Sequence, residues 1–273
     1  MLDLASPLDG FGSPFGARRG GATPLTIFGS RLMFWYDLSD VYSLYQSTDT
    51  STPVTALNDP IGRVSDKSGK GNHATQGTSA ARPLWKQDGN NQYNATFDGT
   101  DDCLATAAID LSAYDKFSLF TAAKKTSNAF VQPICEFSAD VTANAGGFAN
   151  FFNEAAADDA SVYLRGNSTG ITRTNGLTNS TPYVFSAIMD IGGASLATEI
   201  VFRKNGAVAA VSSSSGTAGT GNLGNYPIYI GRRGGVGARL TGSVYQIFGV
   251  QGVASASEIA AAEAYLNSKS SAY

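Results

Sequence analysis

The sequence predicts an all-β chain: a two-sheet antiparallel jelly-roll sandwich with an extended N-terminal arm and a short C-terminal helix. Three observations lead there. Of 273 residues, 31 are glycine, and 12 tyrosines and 15 phenylalanines fall largely in short β-branched or aromatic runs broken by turn residues. Such runs are how a sandwich or barrel reads in one dimension. Only one stretch carries the capped 3.6-residue period of a helix, and no repeat of roughly 20–50 residues marks a propeller or solenoid.

In chain order, residues 1–29 form the arm and 30–273 the sandwich. The arm segment Ser6-Pro7-Leu8-Asp9-Gly10-Phe11-Gly12-Ser13-Pro14-Phe15-Gly16 mixes Pro and Gly with isolated large apolar residues and follows neither period. It does not bury itself. The spaced Leu8, Phe11 and Phe15, with Arg18 and Arg19 behind them, suit an extended peptide that anchors on a partner.

Leu32-Met33-Phe34-Trp35-Tyr36 is a continuous apolar run fit for a buried strand, ended by turn chemistry at 37–40. Residues 41–82 are polar and loop-rich, with Asp66-Lys67-Ser68-Gly69-Lys70-Gly71-Asn72 as the densest turn cluster. Asn94-Ala95-Thr96-Phe97-Asp98-Gly99 reads as a strand entering an Asp-Gly turn, and strands follow at 117–122, 129–137, 161–164 and 183–190. Residues 199–204 and 207–211 pair as a hairpin over Asn205-Gly206, a dipeptide that tolerates the positive φ values of a type I′ turn. Residues 227–231 and 242–250 are dense enough in apolar residues to be central strands. Ser255 and Glu258 have capping-box spacing, and Ile259, Ala262 and Leu266 share one face, so a helix packs on the sandwich and ends near Ser268.

Nineteen Lys plus Arg against 22 Asp plus Glu give a net charge of -3 without a block of like charge, which argues against a nucleic-acid partner. No stretch reaches the roughly 20 apolar residues of a membrane span, and no basic-then-apolar leader opens the chain, so a soluble protein without a readable export signal is expected. The single histidine, His73, excludes clustered-histidine zinc sites and paired-histidine catalysis within one chain. Cys103 and Cys135 make either one bridge or two buried free thiols.

Read in order, Leu32-Met33-Phe34-Trp35-Tyr36-Asp37, then Val64-Ser65-Asp66-Lys67-Ser68-Gly69-Lys70-Gly71-Asn72-His73-Ala74, Arg82-Pro83, Phe97-Asp98-Gly99-Thr100-Asp101-Asp102-Cys103-Leu104, and Leu240-Thr241-Gly242-Ser243-Val244-Tyr245-Gln246-Ile247-Phe248 resemble the concanavalin A-like, laminin-G-like jelly-roll domains of bacteriophage virion proteins. The resemblance implies a fold used for binding carbohydrate, protein or another virion subunit, and it casts Asp66, His73, Asp98 and Asp101 as turn residues. The expected role is therefore a non-enzymatic virion structural protein, such as a capsid decoration, head fibre or tail component. Its expected partners are other virion structural proteins and further copies of itself, with a location on the virion. The alternative is a lectin-like receptor-binding protein recognising host surface carbohydrate.

Some sandwiches of this kind hydrolyse glycosides with paired carboxylates. Here Glu136, Glu154, Glu199, Glu258 and Glu263 are the glutamates, and none shares a strand face with a second acid; Glu136 and Asp140 come nearest. No catalytic residues are expected. Arg232, Arg233 and Arg239 lie in a glycine-rich loop that lacks a phosphate-loop lysine, and they form a candidate ligand loop for an anionic sugar or a partner carboxylate. Asp98, Asp101 and Asp102 offer oxygens in one turn, so calcium is the one metal kept open and no other cofactor is expected.

Overall fold

The computed structural model describes residues 21–129, 131–234 and 237–273; Leu8, Phe11, Phe15, Arg18 and Arg19 of the arm lie outside them. Helix α1 (Pro24–Phe28) precedes β1 (Leu32–Asp37), β2 (Leu44–Tyr45), β3 (Arg63–Val64), β4 (Ala74–Thr75), β5 (Leu84–Gln87), β6 (Tyr93–Asp98) and β7 (Leu104–Thr106). Then come β8 (Ile109–Asp110), β9 (Lys116–Lys125), β10 (Gln132–Phe137), β11 (Phe148–Phe152), β12 (Ala160–Arg165), β13 (Thr169–Thr174) and β14 (Tyr183–Asp190). Helix α2 (Leu196–Glu199) leads into β15 (Ile200–Lys204), β16 (Ala207–Val208), β17 (Ser213–Ser215), β18 (Asn225–Tyr226), β19 (Ile228–Ile230), β20 (Thr241–Gln251) and helix α3 (Ala256–Ser270).

Eight strands form sheet A in the order β16-β15-β14-β9-β20-β6-β5, with β1 also on β20; ten form sheet B in the order β17-β13-β12-β11-β10-β19-β7-β4-β3-β2; β8 and β18 make a small ribbon. Every pairing among these strands is antiparallel. The chain is a two-sheet antiparallel sandwich with a C-terminal helix, as its sequence predicts.

Alternation along the strands of sheet A explains their nearly unbroken apolar character. Strand β9 directs Phe117, Leu119 and Ala123 into the core between the sheets, and Phe120 and Ala122 to the opposite face. Strand β20 divides Val244 and Ile247 from Tyr245, Phe248 and Val250 in the same way. The outer face is covered by α3, through Ala262 and Leu266, and by Phe28 of α1. A strand buried on both faces needs apolar residues at every position.

Residues 24–28, which the sequence reading assigns to the arm, are packed rather than extended. The Thr23 side chain caps α1, Pro24 takes the first turn, where its missing N–H costs nothing, and Gly29 ends the helix at φ 55°. Phe28 is 4% exposed, and its ring lies 5.5 Å from that of Phe120 and 6.1 Å from that of Phe248. The Asn205-Gly206 turn forms with φ 50° and 80°, but the second strand of its hairpin is only Ala207–Val208. Strands β19 and β20 are central as expected, one in each sheet. Helix α3 closes at Ser270 instead of Ser268. Cys103 and Cys135 are free and buried, and burial beside Glu136 pushes the Cys135 thiol up to about 12.

Candidate functional site

Where β1 leaves sheet A, the chain turns a corner held by carboxylates. Asp37, 1% exposed, accepts from Gln246 Nε2 at 2.7 Å, Ser39 Oγ at 2.6 Å and Lys67 Nζ at 3.2 Å. Asp40 accepts from the Tyr42 backbone N–H at 3.1 Å and from Lys67 at 2.6 Å, so a short 3-10 turn, Val41–Ser43, starts there. Burial works against the Lys67 ammonium, but Asp37 and Asp40 outweigh it and hold its pKa above that of a free lysine. Its Nζ sits 4.6 Å from the Trp35 ring centroid.

After the corner, β2 pairs with β3 on one side and makes a bridge from Tyr45 to Pro53 on the other. The strip opposite is fixed by Asp59, whose carboxylate accepts from the backbone of Thr55 at 2.9 Å and Ala56 at 3.0 Å and from Gln46 Nε2 at 3.1 Å. The Thr55 and Ala56 amides hold Asp59 below the usual carboxylate range. Between these walls runs a groove of about 490 Å³ lined by Val41, Tyr42, Leu44, Tyr45, Pro53, Val54 and Thr55. Tyr42 is 89% exposed. Tyr93, at 38%, stacks on Trp85 at 4.7 Å, whereas Tyr42 has no ring partner among the described residues. The sequence reading placed this segment in a polar loop and did not single out Tyr42. The usable signal was an aromatic residue in a stretch without periodicity, followed by Pro53.

The candidate ligand loop lies elsewhere, over the outer face of sheet B, where Val141, Ala149, Phe151 and Tyr163 form a separate cluster. Arg232 donates to the carbonyls of Arg233 at 3.2 Å and Gly234 at 3.1 Å, and its guanidinium lies 5.9 Å from the Tyr229 ring. Arg233 bridges Glu136, at 3.1 Å, and Asp140, with its guanidinium 5.6 Å from the Phe151 ring. Arg239 forms an isolated bridge with Arg232 and donates to the Ala238 carbonyl at 3.1 Å. All three guanidinium groups are thus held by the protein's own acceptors. Burial raises the Glu136 carboxyl despite Arg233; Asp140, with burial opposing, is held low by Thr142 and Arg233. The two acids therefore differ in environment, as a catalytic pair would. Yet Glu136 is 0% exposed, and its oxygens accept from Arg233 and from Val141 N at 2.6 Å, which makes this an internal ion pair.

The acidic turn does bring its residues together. Oxygens of Asp98, Asp101 and Asp102 lie within 4.8 Å of one another. Asp98 accepts from Thr100 N at 2.7 Å and Asp102 from Asp98 N at 2.9 Å, the bonds of an ordinary turn. Burial, with the charges of Asp98 and Asp101, raises Asp102 to about 6, against the hydrogen bond from the Asp98 amide. In charge and donor chemistry the trio fits part of a calcium shell, which takes roughly six to eight oxygens.

The Asp66 segment is a clamp. Asp66 Oδ1 accepts from Trp35 N and Ser68 N, both at 2.9 Å, and Oδ2 from Ser68 Oγ at 2.7 Å and Asn72 N at 2.9 Å. His73 Nδ1 accepts from Asp66 N at 3.0 Å. Asn72 Nδ2 reaches Met33 O at 2.9 Å, and Tyr36 Oη donates to Asn72 O at 2.7 Å. These bonds tie the turn to β1.

Fold and groove together define a β-sandwich with a tyrosine-walled surface site. Among solved structures, the Trypanosoma rangeli sialidase matches with a TM-score of 0.55 and 11% identity, over 88% of this chain and 33% of that one. The botulinum neurotoxin serotype D binding domain matches with 0.56 and 8%, over 87% of this chain and 51% of that one. The serotype D ligand-binding domain in complex with N-acetylneuraminic acid gives 0.56 and 9%, over 87% and 52%. The chain thus spans between 33% and 52% of these proteins, and at such identity the likeness is one of fold. No protein-family model and no curated protein matches it.

Proposed function

We propose that the chain is a non-enzymatic, lectin-type binding module displayed on a bacteriophage virion, with the Tyr42 groove as its glycan seat. The observation that carries the binding role is the Tyr42 ring, 89% exposed at the rim of a groove whose walls are fixed by hydrogen bonds. A rigid aromatic face held in water is complementary to the C–H face of a sugar, and covering such a ring is worth roughly 1.5–3 kcal/mol. Placement on a virion is supported by the ordered sequence resemblance, and non-catalytic binding by the internal pairing of Glu136 with Arg233. The neurotoxin domain of the same fold, seen in complex with N-acetylneuraminic acid, supports sugar as the ligand class.

A glycan array followed by calorimetry tests the reading. Tyr42→Ala is expected to weaken the bound glycan at least tenfold while leaving the thermal midpoint unchanged. Retention of full affinity would remove the groove from the binding role.

A further inference from the structure

We infer that Arg63 reads a carboxylate on the glycan seated at Tyr42, so that the groove takes an acidic glycan in preference to its neutral counterpart; the inference rests on the glycan-seat reading above. Strand β2 sends Leu44 into the core, and β3 alternates in step with it, burying Val64. Tyr45 and Arg63 are directly opposite in that antiparallel pair, so their side chains leave the same outer face with Cβ atoms about 5 Å apart. Tyr45 lines the groove. The row continues through Thr75 of β4 and Ala105 of β7, whose short side chains leave room beside the guanidinium. Arg63 is half-buried. Its Nε donates to Ser65 Oγ at 3.4 Å and its Nη1 to Thr48 O at 3.5 Å, both long and both to neutral oxygens, and Nη2 has no partner among the described residues.

Lys67, Arg173, Arg203 and Arg233 each face a carboxylate, whereas Arg63 faces none among the described residues. The acids around the groove are engaged by other donors: Asp40 by Lys67 at 2.6 Å, Asp49 by the Ser47 and Ser51 hydroxyls, both at 2.7 Å, and Asp59 by the Thr55 and Ala56 amides. A guanidinium partly withdrawn from water without a counter-charge suits a planar carboxylate, which it holds through charge-assisted, forked hydrogen bonds. The hydroxyls of Tyr45 and Thr75, on either side of Arg63, have no partner among the described residues and are free to bond those of the sugar. His73, the single histidine, carries a built-in reporter of this position: burial and the Arg63 charge lower its pKa, Asp66 opposing. An anion seated on Arg63 offsets that charge and raises it.

The test uses the full chain and matched pairs from an array of neutral and acidic oligosaccharides, lactose with 3′-sialyllactose among them, by calorimetry at 50 and 500 mM salt. The expected result is an acidic glycan bound at least tenfold more tightly than its neutral counterpart at 50 mM salt, an advantage that shrinks at 500 mM, with at least a tenfold loss for both members in Tyr42→Ala. Arg63→Gln is expected to abolish the advantage while leaving the neutral member's affinity and the thermal midpoint unchanged. Followed by NMR in the unaltered protein, the His73 pKa is expected to rise on saturation with the acidic glycan and to stay in place with the neutral one. A neutral glycan bound equally or better, an Arg63→Gln protein that keeps the acidic preference, or a His73 indifferent to the bound acidic glycan would each overturn the role of Arg63 and leave the seat in place. No binding to either class, or binding indifferent to Tyr42→Ala, would overturn the seat itself.

Discussion

Asp66 and Asp102 are both buried carboxylates in turns, yet their surroundings differ. Asp66 gathers donors from Trp35, Ser68 and Asn72, while Asp102 faces the charges of Asp98 and Asp101 and is raised to about 6. A carboxyl whose folded pKa lies above its unfolded value binds protons better when folded. Its stabilising contribution is therefore greatest in acid and is lost as pH rises from about 4 to about 6. His73 titrates the other way. Burial and Arg63 depress it below 6.5, Asp66 opposing, and protonation of Nδ1 removes the acceptor for Asp66 N. Its contribution is intact above pH 6.5 and falls as pH drops through the folded value. In EDTA, Asp102→Asn, which keeps the acceptor for Asp98 N, should raise the urea midpoint at pH 7. His73→Asn, which places an oxygen near Nδ1, should flatten the decline below pH 6. Urea titrations from pH 4 to 8 decide both, and an unchanged pH profile in either variant would contradict its assignment.

Among the elements, α3 was the most legible because its signal is local. Ser255 and Glu258 bond reciprocally, Ser255 N to Oε2 at 2.8 Å and Glu258 N to Oγ at 3.4 Å, as the capping-box spacing requires. The Asn205-Gly206 turn was readable for the same reason. Helix α1 was not: five residues carry no period, and Phe28 acquires its meaning from Phe120 and Phe248, far along the chain. Strand β11, Phe-Ala-Asn-Phe-Phe, was also missed. It is buried on both faces and shows no alternation. Replacement of Phe28 by alanine should cost about 3 kcal/mol and of Ser255 by alanine about 1 kcal/mol. Chemical denaturation measures both, and a Phe28→Ala cost below that of Ser255→Ala would mean that α1 does not seal the outer face of sheet A.

For the molecule as a whole, a single inter-sheet core joins residues from Phe34 to Ile247, so the sandwich depends on contacts between distant segments. Anchoring on a particle would be a property of the segment ahead of that core. Because Phe28 belongs to the packed body, the informative truncation begins at Gly21, not after residue 29. The shortened protein is expected to fold and to be absent from purified particles by mass spectrometry. Normal incorporation would show that the anchor lies within residues 21–273.

Sequence alone determined the sandwich, through its short β-branched and aromatic runs broken by turns, and the Asn205-Gly206 turn, the capped helix and the turns at Asp66 and Asp98, because these last rest on backbone preferences and side-chain bonds within a few residues. Tertiary structure decided which charges remain available and which rings face water. Arg232 and Arg233 looked like free cations in a glycine-rich loop, and both are held by acceptors that the chain brings to them. Tyr42 looked like one tyrosine among 12, and the fold leaves its ring 89% exposed at the rim of a groove. Exposure is set by what the rest of the chain leaves uncovered, and no local run of residues encodes that.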